Sequence, residues 1–444
     1  MPFGEGLPLW IGIDDTDSPS GGCTTWVLTE LLRAARDAEI DLIGEPRLVR
    51  LNPNIPWKTR GNAALAARFG TGTGRRRTLG RVGGQAVVGY ARGRKMPAGR
   101  AREWIDRAWS VVRRCARTGE PGTDPALVAT SRRLPARLYW DAVRSVVEVS
   151  NVRRELEDRG ATVRFEGSDR GLVGASAAVA WPGRRATYEL LAYREPTRWG
   201  RPRRVDRSSV RNAVDRYPDL FLCEDRRTRR LLVAPHTPCP ILFGLRGTRA
   251  AAPLGARSLI RSEPVERWVL FRTNQGTGDH LGLFAFGEMA PFTSGRLAGA
   301  VLAPAVTRRG GHVAFSIGDQ DGRSVDCVAF EPTKTLPAVA RSLRPGDTVR
   351  VWGSRAQDPT VRLEGIEIVR LAPRRGRAQP PRCPTCRRTA DSLGRQRGYR
   401  CQQCRRRWPP ESARSEAIPA AYGVGTYHPT PSARRHLAPL DPRP

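Results

Sequence analysis

At 444 residues the chain is too long for one hydrophobic core, and two to four domains are expected. Its 76 basic residues outweigh 43 acidic ones for a formal charge of +33, a self-repulsion that points to a bound polyanion, with nucleic acid the favoured partner. No apolar run approaches the ~20 residues of a membrane helix, and "MPFGEGLPLW" lacks the basic start and long apolar stretch of a signal peptide, so the expectation is a soluble cytoplasmic protein with no membrane partner.

"LPLWIGID" (7–14) reads as a buried strand, and "TWVLTELLRAARDAEI" (25–40) as a helix with Val27, Leu28, Leu31, Leu32 and Ala35 in its apolar stripe. "RLVRLN" (47–52) is a second strand that runs into the loop "PNIPWKTRGNAAL". This opening predicts an α/β layer with ligand loops at its strand ends. "TGTGRRRTLGRVGG" (71–84) reads as a mobile segment. "AREWIDRAWSVVRRCAR" (101–117) and the region 140–160 read as helices, "DRGLVGASAAVAW" (169–181) as a turn entering an apolar segment, and "ATYELLAYR" (186–194) as a strand. From about 195 an Arg-rich stretch, two strands around a Pro-rich turn (229–247) and "VERWVLFRTNQGTGDHL" predict a small α+β sandwich. Residues 294–371 give three strand-like pieces, the short helix "TKTLPAVARSLR" and two more strands, the order of an OB barrel. Between Arg374 and Arg407 stand twelve arginines and one acidic residue, Asp391.

Embedded in that basic tail, Cys383 and Cys386 are separated by fourteen residues from Cys401 and Cys404. Two such knuckles can close a tetrahedral thiolate site, and four protein ligands make the zinc structural; four free thiols are the alternative. The other five cysteines are scattered, which is no disulfide framework and suits a reducing compartment. Asp14, Asp15 and Asp17 follow a strand whose apolar residues are spent, so their carboxylates emerge at the sheet edge as hard ligands for magnesium beside a nucleotide, or as a plain Asp-rich turn. Gly21, Gly22, Cys23, Thr24 and Thr25 open the first helix, where free N–H groups favour a phosphate; either threonine could instead cap the helix. Lys58, Thr59, Arg60 and Gly61 form a second candidate phosphate loop, and Lys58 is one of only three lysines. Arg170, Gly171 and Gly174 form a third, equally readable as a tight turn. The five histidines are dispersed, with no triad or two-His metal spacing.

"IGIDDTDSPSGGCTT", "RLVRLNPNIPWKTRGN", "PHTPCPILFGLRG", "TNQGTGDHL", "AFEPTK", the double Cys-x-x-Cys and the closing "PSARRHL" together resemble the TiaS family, tRNA(Ile) 2-agmatinylcytidine synthetases, in matching order nearly end to end. The resemblance implies an α/β multidomain fold: a kinase-like α/β domain (1–194), a ferredoxin-like α+β domain (195–290), an OB-fold β-barrel (291–372) and a C-terminal zinc ribbon with its tail (373–444). It implies ATP-dependent ligation of agmatine to C2 of the wobble cytidine in an isoleucine tRNA with a CAU anticodon, through a phosphorylated cytidine, with AMP and phosphate released. ATP, Mg2+ and Zn2+ are the implied cofactors. Asp14, Asp15 and Asp17 would hold magnesium and position ATP, and Thr24 matches a threonine that the family autophosphorylates. The three candidate loops would contact phosphate. "DRYPDLF" (215–221) and "PHTPCPILF" are candidates for the agmatine site. Two rival readings stand beside this one: an RNA-binding relative without catalysis, and a tRNA-modifying enzyme that uses another amine.

Overall fold

The computed structural model describes residues 7–59 and 61–440. β1 (Leu9–Asp14) leads through α1 (Thr24–Asp37) to β2 (Asp41–Ile43), β3 (Arg47–Arg50) and a long hairpin of β4 (Ala63–Val82) and β5 (Gln85–Arg94). α2 (Ala98–Cys115), β6 (Ala126–Thr130), α3 (Arg137–Arg144), α4 (Val149–Asp158), β7 (Thr162–Phe165) and α5 (Gly171–Ala180) follow. Next come β8 (Thr187–Tyr193), α6 (Arg207–Arg216), the short pair β9 (Glu224–Asp225) and β10 (Arg230–Leu231), β11 (Ile241–Gly247), α7 (Ala251–Ala256) and β12 (Arg267–Thr273).

These strands make one ten-stranded sheet in the order β11-β8-β12-β3-β4-β1-β6-β7, with β2 and β5 attached along β4. Period-two alternation sends Leu9, Ile11 and Ile13 of β1 to one face, where α1 and α2 cover them with Val27, Leu28, Leu31, Trp104 and Val112. The opposite face of β3, β4 and β6 buries Val49, Ala64, Ala66 and Val128 under α3, α4 and α5. Gly12 is bare because α5 crosses it: a Cβ there would sit 2.9 Å from Val179 Cγ2 and closer still to Ala175 O. That close crossing brings the first turn of α5 to the end of β1.

Two sequence expectations change. Residues 71–84 are not a mobile segment; 71–82 form the second half of β4, paired with β5 and, at Gly80 and Arg81, with β12, and Gly83 and Gly84 make the turn into β5. Their glycines mark close approaches, since a Cβ on Gly72 would lie 2.8 Å from Tyr90 Cδ1 and one on Gly80 3.1 Å from Val269 Cγ2. The division at residue 194 also separates β8 from the two strands hydrogen-bonded to it, β11 and β12. β12 pairs in turn with β3 and β4, so the sheet continues across that division.

The barrel matches the expected order. β13 (Leu281–Leu283) pairs with β14 (Ser294–Val301); β15 (Val306–Thr307), β16 (Val313–Gly318), β17 (Ser324–Ala329), α8 (Thr335–Ser342), β18 (Thr348–Arg355) and β19 (Val361–Arg370) follow. The pairs β14–β16 and β17–β19 close an OB-fold-like barrel around Phe315, Val349, Val351, Ile366 and Ile368. Three two-residue strands, β20 (Asp391–Ser392), β21 (Tyr399–Arg400) and β22 (Arg407–Trp408), carry the cysteine knuckles. β23 (Gly425–Tyr427) then returns to pair with β19, and the chain docks on the first sheet, where Gly276 and Gly278 donate backbone hydrogen bonds to His436 and Leu437. No described helix is long and apolar enough to cross a membrane.

Candidate active site

β1 ends where its apolar residues end. Asp14 accepts the Asp15 N–H at 2.8 Å, and Asp15 turns the chain with φ +57, a left-handed conformation that Asp tolerates better than most residues. The carboxylates open into a cavity of about 680 Å³ that is also lined by Asp17, Thr24, Thr25, Trp57, Lys58, Thr59, Gly61, Arg170, Gly171 and Gly174. Thr24 and Thr25, Lys58 and Thr59, and Arg170, Gly171 and Gly174, from all three candidate loops, therefore border one cavity.

Two helix N-termini meet at the carboxylates. α1 starts at Thr24 behind Cys23, which makes no side-chain cap; the expected threonine cap is absent, because both threonines already lie within the first turn. α5 starts at Gly171 behind Arg170, likewise without a side-chain cap. Partial positive charge at both ends favours an anion beside the carboxylates. Gly171 and Gly174 make the approach possible: a Cβ on Gly174 would lie 2.6 Å from Asp14 Cγ, and one on Gly171 3.3 Å from Asp15 Cβ.

The carboxylates repel one another. Burial, then the charge of Asp15, raises Asp14 well above the usual carboxylate range. Burial, then Asp124 and Asp17, raises Asp15 to about 7. A divalent cation among them would favour the ionised forms. Asp14, Asp15, Asp17 and Asp124 line the cavity as hard-oxygen donors, the type magnesium takes, with water and phosphate oxygens completing its shell.

Other predicted residues separate. Gly21 and Gly22 lie in the turn before α1, outside the cavity lining; a Cβ on Gly21 would meet Arg117 Nη2 at 2.9 Å, and Ser18 and Ser20 on the same turn donate to Glu120. Arg60 lies outside the described residues. Lys58 is at the mouth, donating to Pro53 O, with its pKa lowered by burial and by Arg435. The Arg170 guanidinium stacks 4.2 Å over the half-exposed Trp57 ring. Of the two agmatine candidates, the cavity takes Pro235, His236, Thr237, Cys239 and Ile241 from "PHTPCPILF" and none of residues 215–221.

Sequence reasoning missed Asp124 and the cavity floor. Asp124 precedes β6, whose Ala126 is paired with Asp14, so it occupies the same sheet edge; a carboxylate just before the apolar run "ALVAT" was the available signal. The floor is built from Arg50, Glu189, Arg246 and His436. Glu189 is buried and accepts from Arg246 at 3.0 Å and from Gln275, with Arg50 at 3.7 Å. These residues come from four separate segments, and no spacing links them.

Among the described residues, the sulfurs of Cys383, Cys386, Cys401 and Cys404 lie within 4.8 Å of one another, a closed four-thiolate set of the kind zinc takes. The Cys386 N–H lowers the Cys383 thiol to about 7, which eases the ionisation a metal requires.

Comparison with known proteins gives three family models on this chain: the TiaS TCKD domain at residues 10–167, the TiaS FLD domain at 169–280 and the TiaS C-terminal zinc ribbon domain at 380–416. The first two part at residue 168, just before α5, while the sheet runs on unbroken across both. A tRNA(Ile) 2-agmatinylcytidine synthetase TiaS of Methanosarcina mazei is 37% identical over 442 residues, covering 96% of each chain. The solved complex of TiaS with its isoleucine tRNA and ATP superposes with a TM-score of 0.82 at 33% identity over 97% of this chain and 96% of that one. The complex of TiaS with the same tRNA, AMPCPP and agmatine gives 0.79 at 32% identity over 98% and 96%.

Proposed function

The chain belongs to the TiaS family of tRNA(Ile) 2-agmatinylcytidine synthetases, and from that premise we propose how its own residues carry out the reaction. It is an ATP-dependent ligase that forms a C–N bond between agmatine and a cytidine of tRNA. The observation that carries the mechanism is the sheet edge where Asp14, Asp15, Asp17 and Asp124 face Thr24 and two helix N-termini within one cavity.

The C2 oxygen of the wobble cytosine leaves poorly until it is phosphorylated. Asp14, Asp15, Asp17 and Asp124 would hold Mg2+, which neutralises triphosphate charge when bound. The N-termini of α1 and α5, with Lys58 and Arg170, orient the phosphates and stabilise the charge that develops on the moving phosphoryl group. The position of Thr24 in the first turn of α1 and on the cavity wall supports its role as acceptor of a phosphoryl group. Trp57, exposed at the mouth with Arg170 over it, offers a face on which the extruded cytosine stacks. The kinase-like role falls to residues 10–167 and the ferredoxin-like role to 169–280, with the barrel at 291–372 and the ribbon beyond it. The barrel and the arginine-rich ribbon grip tRNA, and zinc folds the ribbon. The protein works in the cytoplasm, where its cysteines stay reduced.

Asp15→Asn tests the assignment: agmatidine formation is lost while tRNA affinity is unchanged. If tRNA binding falls with activity, the carboxylates hold the fold rather than the nucleotide.

A further inference from the structure

His436 was one of five scattered histidines in the sequence, and the phosphoryl-transfer scheme does not use it. The structure brings it to the cavity from the far end of the chain. Its Nδ1 lies 3.0 Å from Gln275 Oε1, and Gln275 is fully buried. The side-chain amide of Gln275 is fixed in turn, because its Nε2 donates to the carboxylate of Glu189. A carboxylate only accepts, so the amide nitrogen must face Glu189 and the amide oxygen must face His436. The imidazole therefore carries its proton on Nδ1. Nε2 is left with its lone pair on a side chain that lines the cavity.

The charges around the ring keep it in that state. His436 keeps an exposed surface; Arg50 on β3 first, then desolvation of the ring and Arg246 on β11, hold the imidazole well below its ordinary pKa, and Glu189 on β8 is already shared among Arg50, Arg246 and Gln275.

Resting on the agmatine-ligase reading, we propose that His436 Nε2 is the general base of the amine-transfer step. The free amine of agmatine attacks C2 of the phosphorylated cytosine. As the C–N bond forms, the nitrogen becomes acidic and its proton passes to Nε2. The C2–O bond breaks with its electron pair on the oxygen, which leaves with the phosphate. The phosphate takes the proton from the imidazolium and departs as hydrogen phosphate, and His436 is neutral again. The dianionic phosphate arriving in a cavity floored by Arg50 and Arg246 offsets their charge and raises the proton affinity of the ring at the moment it is used.

The test uses the full-length protein with ATP, magnesium, tRNA and labelled agmatine. His436→Gln removes the base and keeps polar atoms beside Gln275. His436→Ala leaves a hole that free imidazole can enter. The backbone bonds that dock the segment, Gly276 N–H to His436 O at 2.9 Å and Leu440 N–H to Gly276 O at 3.0 Å, do not involve the ring. Both variants should lose about 100-fold or more in kcat with little change in the KM for agmatine or in tRNA affinity, and imidazole should restore about tenfold or more to His436→Ala alone. A His436→Gln kcat within about threefold of wild type, a loss confined to KM, or a His436→Ala loss that imidazole does not relieve would each overturn the proposal. If wild type itself incorporates no agmatine, the functional reading fails and this inference with it; incorporation by wild type with an unimpaired His436→Gln defeats the inference alone.

Discussion

Gly174→Ala tests whether the meeting of α5 with β1 shapes the catalytic edge. The added methyl would lie 2.6 Å from Asp14 Cγ, closer to Oδ2, and 2.9 Å from Leu51 Cδ1. Carbon contacts settle near ~3.5 Å, so the carboxylate or the helix must yield by about 1 Å. Overpacking of this kind costs about 1–3 kcal/mol of stability, which lowers Tm by a few degrees without unfolding the chain. The catalytic loss is larger, because a ~1 Å misplacement of a positioned group costs about 100-fold. The assay is labelled-agmatine incorporation into tRNA, with Tm and tRNA affinity measured alongside. Gly99→Ala, whose Cβ enters open space, is the control and should behave as wild type. A Gly174→Ala rate within about threefold of wild type would refute the reasoning, since the carboxylate would then have no fixed position to lose.

Linkage predicts an unusual pH response in the metal-free protein. The folded pKa of Asp15 is raised from 3.8 to about 7 and that of Asp14 is raised too, so the native state binds more protons than the unfolded chain, and stability falls as pH rises from about 4 through about 7. Thermal melts across that range should show the decline, and magnesium or Asp15→Asn should flatten it. Arg267 donates to Thr29 at 2.9 Å, pairs with the buried Glu30 and stacks 3.7 Å over Trp26; because Glu30 keeps Arg33 at 2.6 Å, Arg267→Met should cost about 1–3 kcal/mol, read as a drop in Tm. Cys401→Ser should release zinc and weaken tRNA binding about tenfold or more while ATP affinity stays unchanged, measured by metal analysis and two binding assays.

What the sequence disclosed depended on whether the signal was local. β1, α1 and the five barrel strands with α8 were legible because each buries one periodic face, and the four cysteines because zinc fixes their spacing. Asp14 and Asp15 stood out as candidate metal ligands and Thr24, Lys58 and Arg170 as candidate phosphate contacts, although only the fold shows that they share a cavity. β4 beyond Phe69 was misread because its glycines and arginines carry no apolar alternation; its order comes from pairing with β5 and β12. The floor was invisible for a related reason. Glu189, Gln275 and His436 lie far apart in the chain and meet because β8, β12 and the returning C-terminal segment converge, which no local pattern encodes.

The most direct test of the agmatine-ligase reading is mass spectrometry of CAU-anticodon isoleucine tRNA after incubation with the purified protein, ATP, magnesium and agmatine. The expected result is a mass gain equal to agmatine less one water, located on the wobble cytidine and absent when ATP is withheld. Unmodified tRNA that still binds the protein tightly, or a stronger gain with a different amine, would contradict it.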